Sequence, residues 1–69
     1  MLGTVTAFDD PAGIGEITAA DGRVLPFHCT QLADGSRTTT VGTKVSFQLW
    51  PRLGRYEAAA IRVLPPATP

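Results

Sequence analysis

Two glycines on either side of one apolar residue form the first candidate site, in the stretch PAGIGEI from Pro11 to Ile17. Glycine-rich turns bind phosphates when their backbone N–H groups point at the anion. A dinucleotide-binding fingerprint needs a third glycine and a following helix, and a P-loop needs a Gly-Lys-Ser/Thr ending. The stretch has neither feature, so its spacing favours a tight β-hairpin over a phosphate-binding loop.

The adjacent residues His28 and Cys29 are the second place where chemistry could occur. Neighbours on a β-strand point to opposite faces of the sheet, which does not favour a Cys-His nucleophile pair. A metal site would require two or more further ligands, and only carboxylates are left to supply them. We therefore expect a protein that is not an enzyme and that has no catalytic residue, no metal and no other cofactor.

Aromatic and arginine residues surround a predicted turn late in the chain, where Trp50 and Tyr56 flank Arg52, Leu53 and Arg55. In one interpretation Trp50 caps the end of a barrel and Tyr56 packs over it. In the other the cluster is a recognition patch, because arginine beside aromatic residues suits both nucleic acids and protein hot spots. The residues alone do not choose between these interpretations.

Length and composition restrict the class of protein. Sixty-nine residues make one small domain, and a single cysteine excludes an internal disulfide framework. No apolar stretch approaches the roughly 18 residues of a membrane span, and the signal-peptide pattern is absent, so we expect a cytoplasmic protein without a membrane partner. Six basic and six acidic residues give zero formal charge, which does not favour nonspecific nucleic-acid binding by clustered lysine and arginine.

Short runs rich in Val, Thr, Phe and Ile, separated by glycine, proline or Asp-Gly, are typical of an all-β barrel or sandwich. The sequence predicts five strands, at about residues 3–9, 13–19, 24–28, 44–50 and 56–63. Asp21-Gly22 favours a type I′ turn between the second and third strands. We expect residues 1–64 to form the domain and residues 65–69 to be a flexible, proline-rich tail.

Alternation along these strands predicts which side chains face the core. The predicted core consists of Val5, Ile17, Leu25, Phe27, Leu32, Val45, Phe47, Leu49, Ile61 and Val63. Gly13 and Gly15 share the inward parity of Ile17, where a tightly coiled strand needs room. Ile14 and Glu16 point outward.

The order and spacing of four stretches resemble a cold-shock domain; they read GTVTAFD, AGIGEI, LPFHC and GSRTTTVGTKVSF. The resemblance extends from about Gly3 to Val63. The resemblance implies a five-stranded antiparallel OB-fold barrel. It also implies a small non-catalytic protein that binds single-stranded RNA or DNA, linked to RNA chaperoning or transcription. In that family the bases stack on aromatic residues of the first three strands.

The sequence departs from the family where bases would stack. Non-aromatic residues occupy six of the family's aromatic positions, namely Ala7, Ile14, Glu16, Pro26, Cys29 and Ser36. Losing three stacking contacts at ~1–2 kcal/mol each would weaken binding by roughly 10²- to 10⁴-fold. Glu16 also places a negative charge where a polyanion would lie, so we expect weak or altered binding.

The residues predicted to contact nucleic acid form two groups. Phe8 and His28 would stack on bases and Arg37 would contact a phosphate. The second group comprises Trp50, Arg52, Arg55 and Tyr56. It surrounds the loop between the last two strands, which OB-folds often use in recognition.

The alternative function is a protein-interaction module that kept the barrel and lost nucleic-acid binding. Ala7, Ile14 and Pro26 would then form an apolar patch for a partner or a second copy. Nucleic-acid binding should weaken steeply with salt, whereas apolar docking should not.

Overall fold

The computed structural model describes residues 1–65, and the predicted flexible tail lies outside the described residues except for Pro65. The five predicted strands are confirmed, with ends that differ by one or two residues. They are β1 (Leu2–Asp9), β2 (Ile14–Ala19), β3 (Val24–His28), β4 (Lys44–Arg52) and β5 (Arg55–Val63). One short 3₁₀ turn, Cys29–Gln31, follows β3. Within residues 1–65 no helix is long and apolar enough to cross a membrane.

All five strands form one antiparallel sheet in the order β3-β2-β1-β4-β5. β3 and β5 are the two edges of this sheet, and they contact each other as the sheet curls. The barrel is not closed by a hydrogen-bonded ladder between them. An isolated bridge from Leu32 to Ile61 attaches the loop after β3 to β5 instead.

The core contains eight of the ten predicted residues, and its composition differs in β5. The buried apolar residues are Val5, Ile17, Ala19, Leu25, Phe27, Leu32, Val45, Phe47, Ala58, Ala59 and Ile61. Leu49 is only partly buried against this core. Val63 was predicted to be buried and is 55% exposed, because it is the last residue of an edge strand.

A β-bulge in β5 explains why simple alternation fails there. The register shifts between Ser46 and Gln48, and Ala60 has a left-handed φ of 49°. An extra residue in one strand reverses the alternation of all residues beyond it. Ala58 and Ile61, which are three residues apart, consequently both lie in the core. Ala59 is buried on the other side of the strand, beneath a surface groove.

A second register shift, between Val5 and Ala7, changes the face of Phe8. Phe8 pairs with Gly15, which in turn pairs with Phe27 on the core side of the sheet. The two rings stack across the glycine, with centroids 6.0 Å apart and planes 13° from parallel. A Cβ atom on Gly15 would lie 2.6 Å from Cζ of Phe27, so the predicted need for room at this position is confirmed.

The type I′ turn is found in a different hairpin from the predicted one. A type I′ turn requires positive φ at both central residues. At Asp21-Gly22 only Gly22 has a positive φ, so that prediction was wrong. Leu53 and Gly54 have φ values of 47° and 85°, and they form the two-residue turn between β4 and β5.

Candidate nucleic-acid interface

The outward side of β1, β2 and β3, called the flat face below, carries two cross-strand rows. Ala7, Glu16 and Pro26 form one row, and Asp9, Ile14 and His28 form the other. Ile14 is 47% exposed and Glu16 is exposed. The imidazole of His28 is the one aromatic ring in these rows, and two carboxylates lie beside it.

Phe8 does not belong to the flat face. Its ring is half-buried, packs against the core and stacks on Phe27. The structure therefore does not bring Phe8 and His28 together as one stacking platform. The role of Phe8 in binding bases stays a prediction.

A groove of about 430 Å³ lies between the end of β3 and the β4–β5 hairpin. The residues that line it are His28, Thr30, Gln31, Trp50, Arg52, Glu57, Ala58 and Ala59. The groove thus contains predicted contact residues from both groups. It forms because the two sheet edges, β3 and β5, approach each other.

The register of the hairpin determines which side chains face the groove. Trp50 pairs with Glu57, and Arg52 pairs with Arg55 two residues further along. Residues two apart on a strand share a face, so these four side chains lie on the same side of the hairpin. Three of them line the groove, and Arg55 lines the depression at the hairpin tip instead. Trp50 is 54% exposed, which leaves much of its indole ring accessible.

Tyr56 lies on the other side of the hairpin, because it pairs with Pro51. Its side chain is 52% exposed and lines a smaller depression of about 300 Å³ at the hairpin tip. Trp50 and Tyr56 therefore do not pack over one another. The structure separates Tyr56 from the groove.

The groove also contains polar residues that sequence reasoning missed. Oε1 of Gln31 accepts a hydrogen bond from the backbone N–H of Ala60, at 3.3 Å, which holds Gln31 against β5. Glu57 is half-buried beside Trp50. The sequence does contain a signal for Glu57, because a two-residue turn at Leu53-Gly54 places Glu57 opposite Trp50 on the paired strands.

The basic residues of the hairpin face one another without acidic partners. Like charges directly opposite each other on paired strands are destabilising, and Arg52 and Arg55 are such a pair. Within residues 1–65 the one salt bridge joins Arg23 and Asp21, so neither hairpin arginine has a carboxylate partner there. An anion placed between Arg52 and Arg55 would relieve their repulsion.

Arg37 lies apart from these residues in the long loop before β4. It is exposed, has a left-handed φ of 62° and does not line the groove. The nearby turn is held by Asp34, whose carboxylate accepts the backbone N–H of Ser36 at 2.9 Å. Contact of Arg37 with a phosphate stays a prediction.

Fold and surface together define a small antiparallel barrel of the OB type, with candidate binding surfaces on the flat face and in the groove. The family described as the 'Cold-shock' DNA-binding domain matches residues 1–64. The chain belongs to this family, and the resemblance stated from the sequence is confirmed.

Solved structures agree with this assignment. Among 25 matching chains is one described as Drosophila Unr CSD456, with 29% sequence identity and a TM-score of 0.79. The match covers 94% of this chain but only 26% of that chain, so the present chain spans about a quarter of it. No curated protein matches the chain.

Proposed function

We propose that this cold-shock domain binds single-stranded RNA or DNA, without catalysis, mainly through the groove rather than across the flat face. Binding is altered relative to the family pattern and weaker than a complete aromatic platform would give. A cytoplasmic location and a role in RNA chaperoning or transcription stay predictions from the sequence and its resemblance.

One observation carries the proposal: His28, Trp50 and Arg52 line the same groove. Two of these residues offer rings on which bases can stack, and stacking contributes ~1–3 kcal/mol per base. Arg52 supplies a positive charge for the phosphate backbone. Ring faces beside a cation are the combination that single-strand-binding proteins use.

The flat face is the poorer surface for a polyanion. Glu16 lies in the middle of its first row and Asp9 in its second. Both carboxylates repel phosphates, and only His28 provides a ring in these rows. The groove contains one carboxylate, that of Glu57, but Arg52 and Arg55 lie on the same side of the hairpin, so positive charges outnumber negative ones there.

The alternative function, a protein-interaction module, relied on an apolar patch of Ala7, Ile14 and Pro26. Glu16 lies between Ala7 and Pro26 in the same row, so the patch is interrupted by a charge. Ile14 is flanked by Asp9 and His28. The flat face therefore offers less continuous apolar surface than the sequence alone indicates.

The proposal is tested by fluorescence anisotropy with a fluorescein-labelled uridine heptamer at low salt. Trp50→Ala should weaken binding by about 5- to 150-fold, the equivalent of one lost stacking contact. Tyr56→Ala, the same loss of an exposed aromatic on the other side of the hairpin, should change affinity by less than about twofold. Equal losses in the two variants, or no binding by the wild type, would contradict the proposal.

A further inference from the structure

One side of the β4–β5 hairpin presents two consecutive cross-strand pairs, Trp50–Glu57 and Arg52–Arg55. Trp50, Glu57 and Arg52 line the groove, and Arg55 lies next to it at the hairpin tip. Two residues along a strand correspond to about 6.7 Å, because a strand rises 3.3–3.4 Å per residue. This separation is close to the length of one nucleotide, from its base to its phosphate. The two pairs therefore offer a ring with a carboxylate at one end and two guanidinium groups at the other.

The first pair has the chemistry to select a base. Ionised Glu57 can only accept hydrogen bonds, through two oxygens. Guanine presents two adjacent donors on its Watson–Crick edge, N1–H and the N2 amino group, and so matches both oxygens. Uracil presents one N–H between two carbonyls that a carboxylate repels, and adenine and cytosine present an amino group beside a ring acceptor.

The second pair has the chemistry to bind a phosphate. Guanidinium groups bind phosphate oxygens through paired N–H donors, and such charge-assisted bonds are stronger than neutral ones. Arg52 and Arg55 face each other with no carboxylate within 4.0 Å among residues 1–65. A bound phosphate would satisfy both groups and remove their mutual repulsion.

We propose that these two pairs form a subsite for one guanine nucleotide of a single strand. Guanine stacks on Trp50 and donates N1–H and N2–H to the carboxylate of Glu57, while its phosphate lies between Arg52 and Arg55. The guanine subsite rests on the proposed function and names the base that the groove selects. The volume of the groove, about 430 Å³, is within the range of small-molecule pockets.

The first test compares three fluorescein-labelled heptamers on the wild-type protein: all uridine, uridine with one central guanosine, and uridine with one central inosine. The guanosine heptamer should bind about 5- to 150-fold more tightly than all-uridine, the discrimination expected of a bidentate base contact. Inosine keeps N1–H but lacks the amino group, so its heptamer should bind with intermediate affinity. This comparison needs no protein variant and does not depend on how a substitution folds.

The second test asks whether Glu57 causes the preference for guanosine. It makes the same change, glutamate to glutamine, at Glu57 and, as a control, at Glu16. Glu57→Gln replaces one acceptor by a donor and should bring the guanosine and uridine affinities within about twofold of each other. Glu16→Gln, on the flat face, should leave the ratio of the two affinities unchanged. Arg55→Gln should weaken both heptamers by the same factor, because it removes a phosphate contact that carries no base information.

The outcomes separate the guanine subsite from the proposed function. Equal binding of guanosine and uridine heptamers by the wild type would overturn the subsite and leave single-strand binding intact. Failure of every heptamer to bind would overturn both. A guanosine preference that persists in E57Q would overturn the role of Glu57, and displacement by free GMP as effective as by unlabelled heptamer would assign the subsite to a free nucleotide.

Discussion

Close packing around Gly15 leaves no room for a larger residue at this position. Gly15 has no left-handed φ, and its importance comes from the space above it, which the ring of Phe27 and the carbonyl oxygen of Ala7 occupy. A methyl group there would lie 2.7 Å from that oxygen, which is too close, so the backbone would have to shift. The glycines of PAGIGEI thus serve packing and backbone geometry, as their parity predicted.

Gly15→Ala should lower the free energy of unfolding by about 1–3 kcal/mol, the usual cost of overpacking a core. Urea denaturation followed by Trp50 fluorescence measures this change. In the G15A background, Phe27→Leu should cost less than it does alone, because it removes the ring that the new methyl group contacts. Strictly additive effects would mean that the ring of Phe27 does not limit the space at Gly15.

Two exposed carboxylates predict an acid-dependent contribution to stability. The backbone N–H of Arg23, and then its guanidinium, lower the pKa of Asp21 below 3.8. The backbone N–H of Ser36 lowers the pKa of Asp34 below 3.8. A carboxyl group whose pKa is lower in the folded state stabilises the protein above its unfolded pKa, and this contribution is lost as pH falls through the folded pKa.

The free energy of unfolding should therefore fall as the pH drops below about 3.8, and D21N and D34N should each reduce that dependence. Carboxyl chemical shifts followed by NMR give the two pKa values directly. Midpoints at or above 3.8 for both residues would show that these turns do not favour the ionised forms.

At the scale of elements, the β4–β5 hairpin contains a conformational conflict at its turn. Leu53 is fully exposed and has a left-handed φ of 47°, a conformation that costs an ordinary side chain ~1–2 kcal/mol. Asparagine is preferred at this position of a type I′ turn. The hairpin that presents the aromatic ring and the charged side chains therefore closes with a turn that its sequence does not favour.

Leu53→Asn should raise the free energy of unfolding by about 0.5–1 kcal/mol, since asparagine adopts the left-handed conformation more readily. Leu53→Ala is the matched control, because it removes the same exposed apolar side chain but keeps the unfavourable φ. Thermal denaturation of both variants measures the difference. A gain in L53A as large as in L53N would attribute the effect to the exposed side chain instead.

The sequence predicted the elements well because strand alternation and turn residues are local signals. It failed in β5, where a bulge at Ala60 reverses the alternation. A second bulge, near Thr6, places Phe8 on the core side of β1. A bulge depends on pairing between strands, so one strand read alone does not reveal it. The Asp-Gly signal likewise located a hairpin correctly but assigned it the wrong turn type.

The candidate site could be predicted only in part. The proximity of aromatic residues and arginines along the chain was enough to predict Trp50 and Arg52 as contact residues. Glu57 joins them through the register of the β4–β5 hairpin, which the two-residue turn sets. Gln31 joins them only when β3 and β5 meet, which is a property of the curled sheet and not of any single segment. The resemblance to cold-shock domains located His28 but also implied a platform that the packing of Phe8 does not complete.

At the scale of the whole molecule, zero net charge conceals a separation of charges. Asp9 and Glu16 lie on the flat face, and Arg52 and Arg55 lie at the hairpin. A single strand bound along the hairpin would neutralise about two phosphates there. Counterion release then predicts a slope of about −1.4 for log K against log salt concentration, at roughly −0.7 per phosphate.

Arg52→Gln and Arg55→Gln should each make this slope shallower by about 0.7, whereas Arg62→Gln, an exposed arginine outside the groove, should not change it. Anisotropy titrations with the uridine heptamer at several salt concentrations measure the slopes. Binding that does not respond to salt would support apolar docking, as the protein-interaction alternative requires.

The most direct test of the central claim is a backbone-amide NMR titration with a short single-stranded oligonucleotide at low salt. Binding in the groove predicts chemical-shift changes clustered on His28, Gln31, Trp50 and Glu57, with small changes at Ala7 and Glu16. Changes clustered on Ala7 and Glu16 instead, or no changes with the oligonucleotide in large excess, would contradict it.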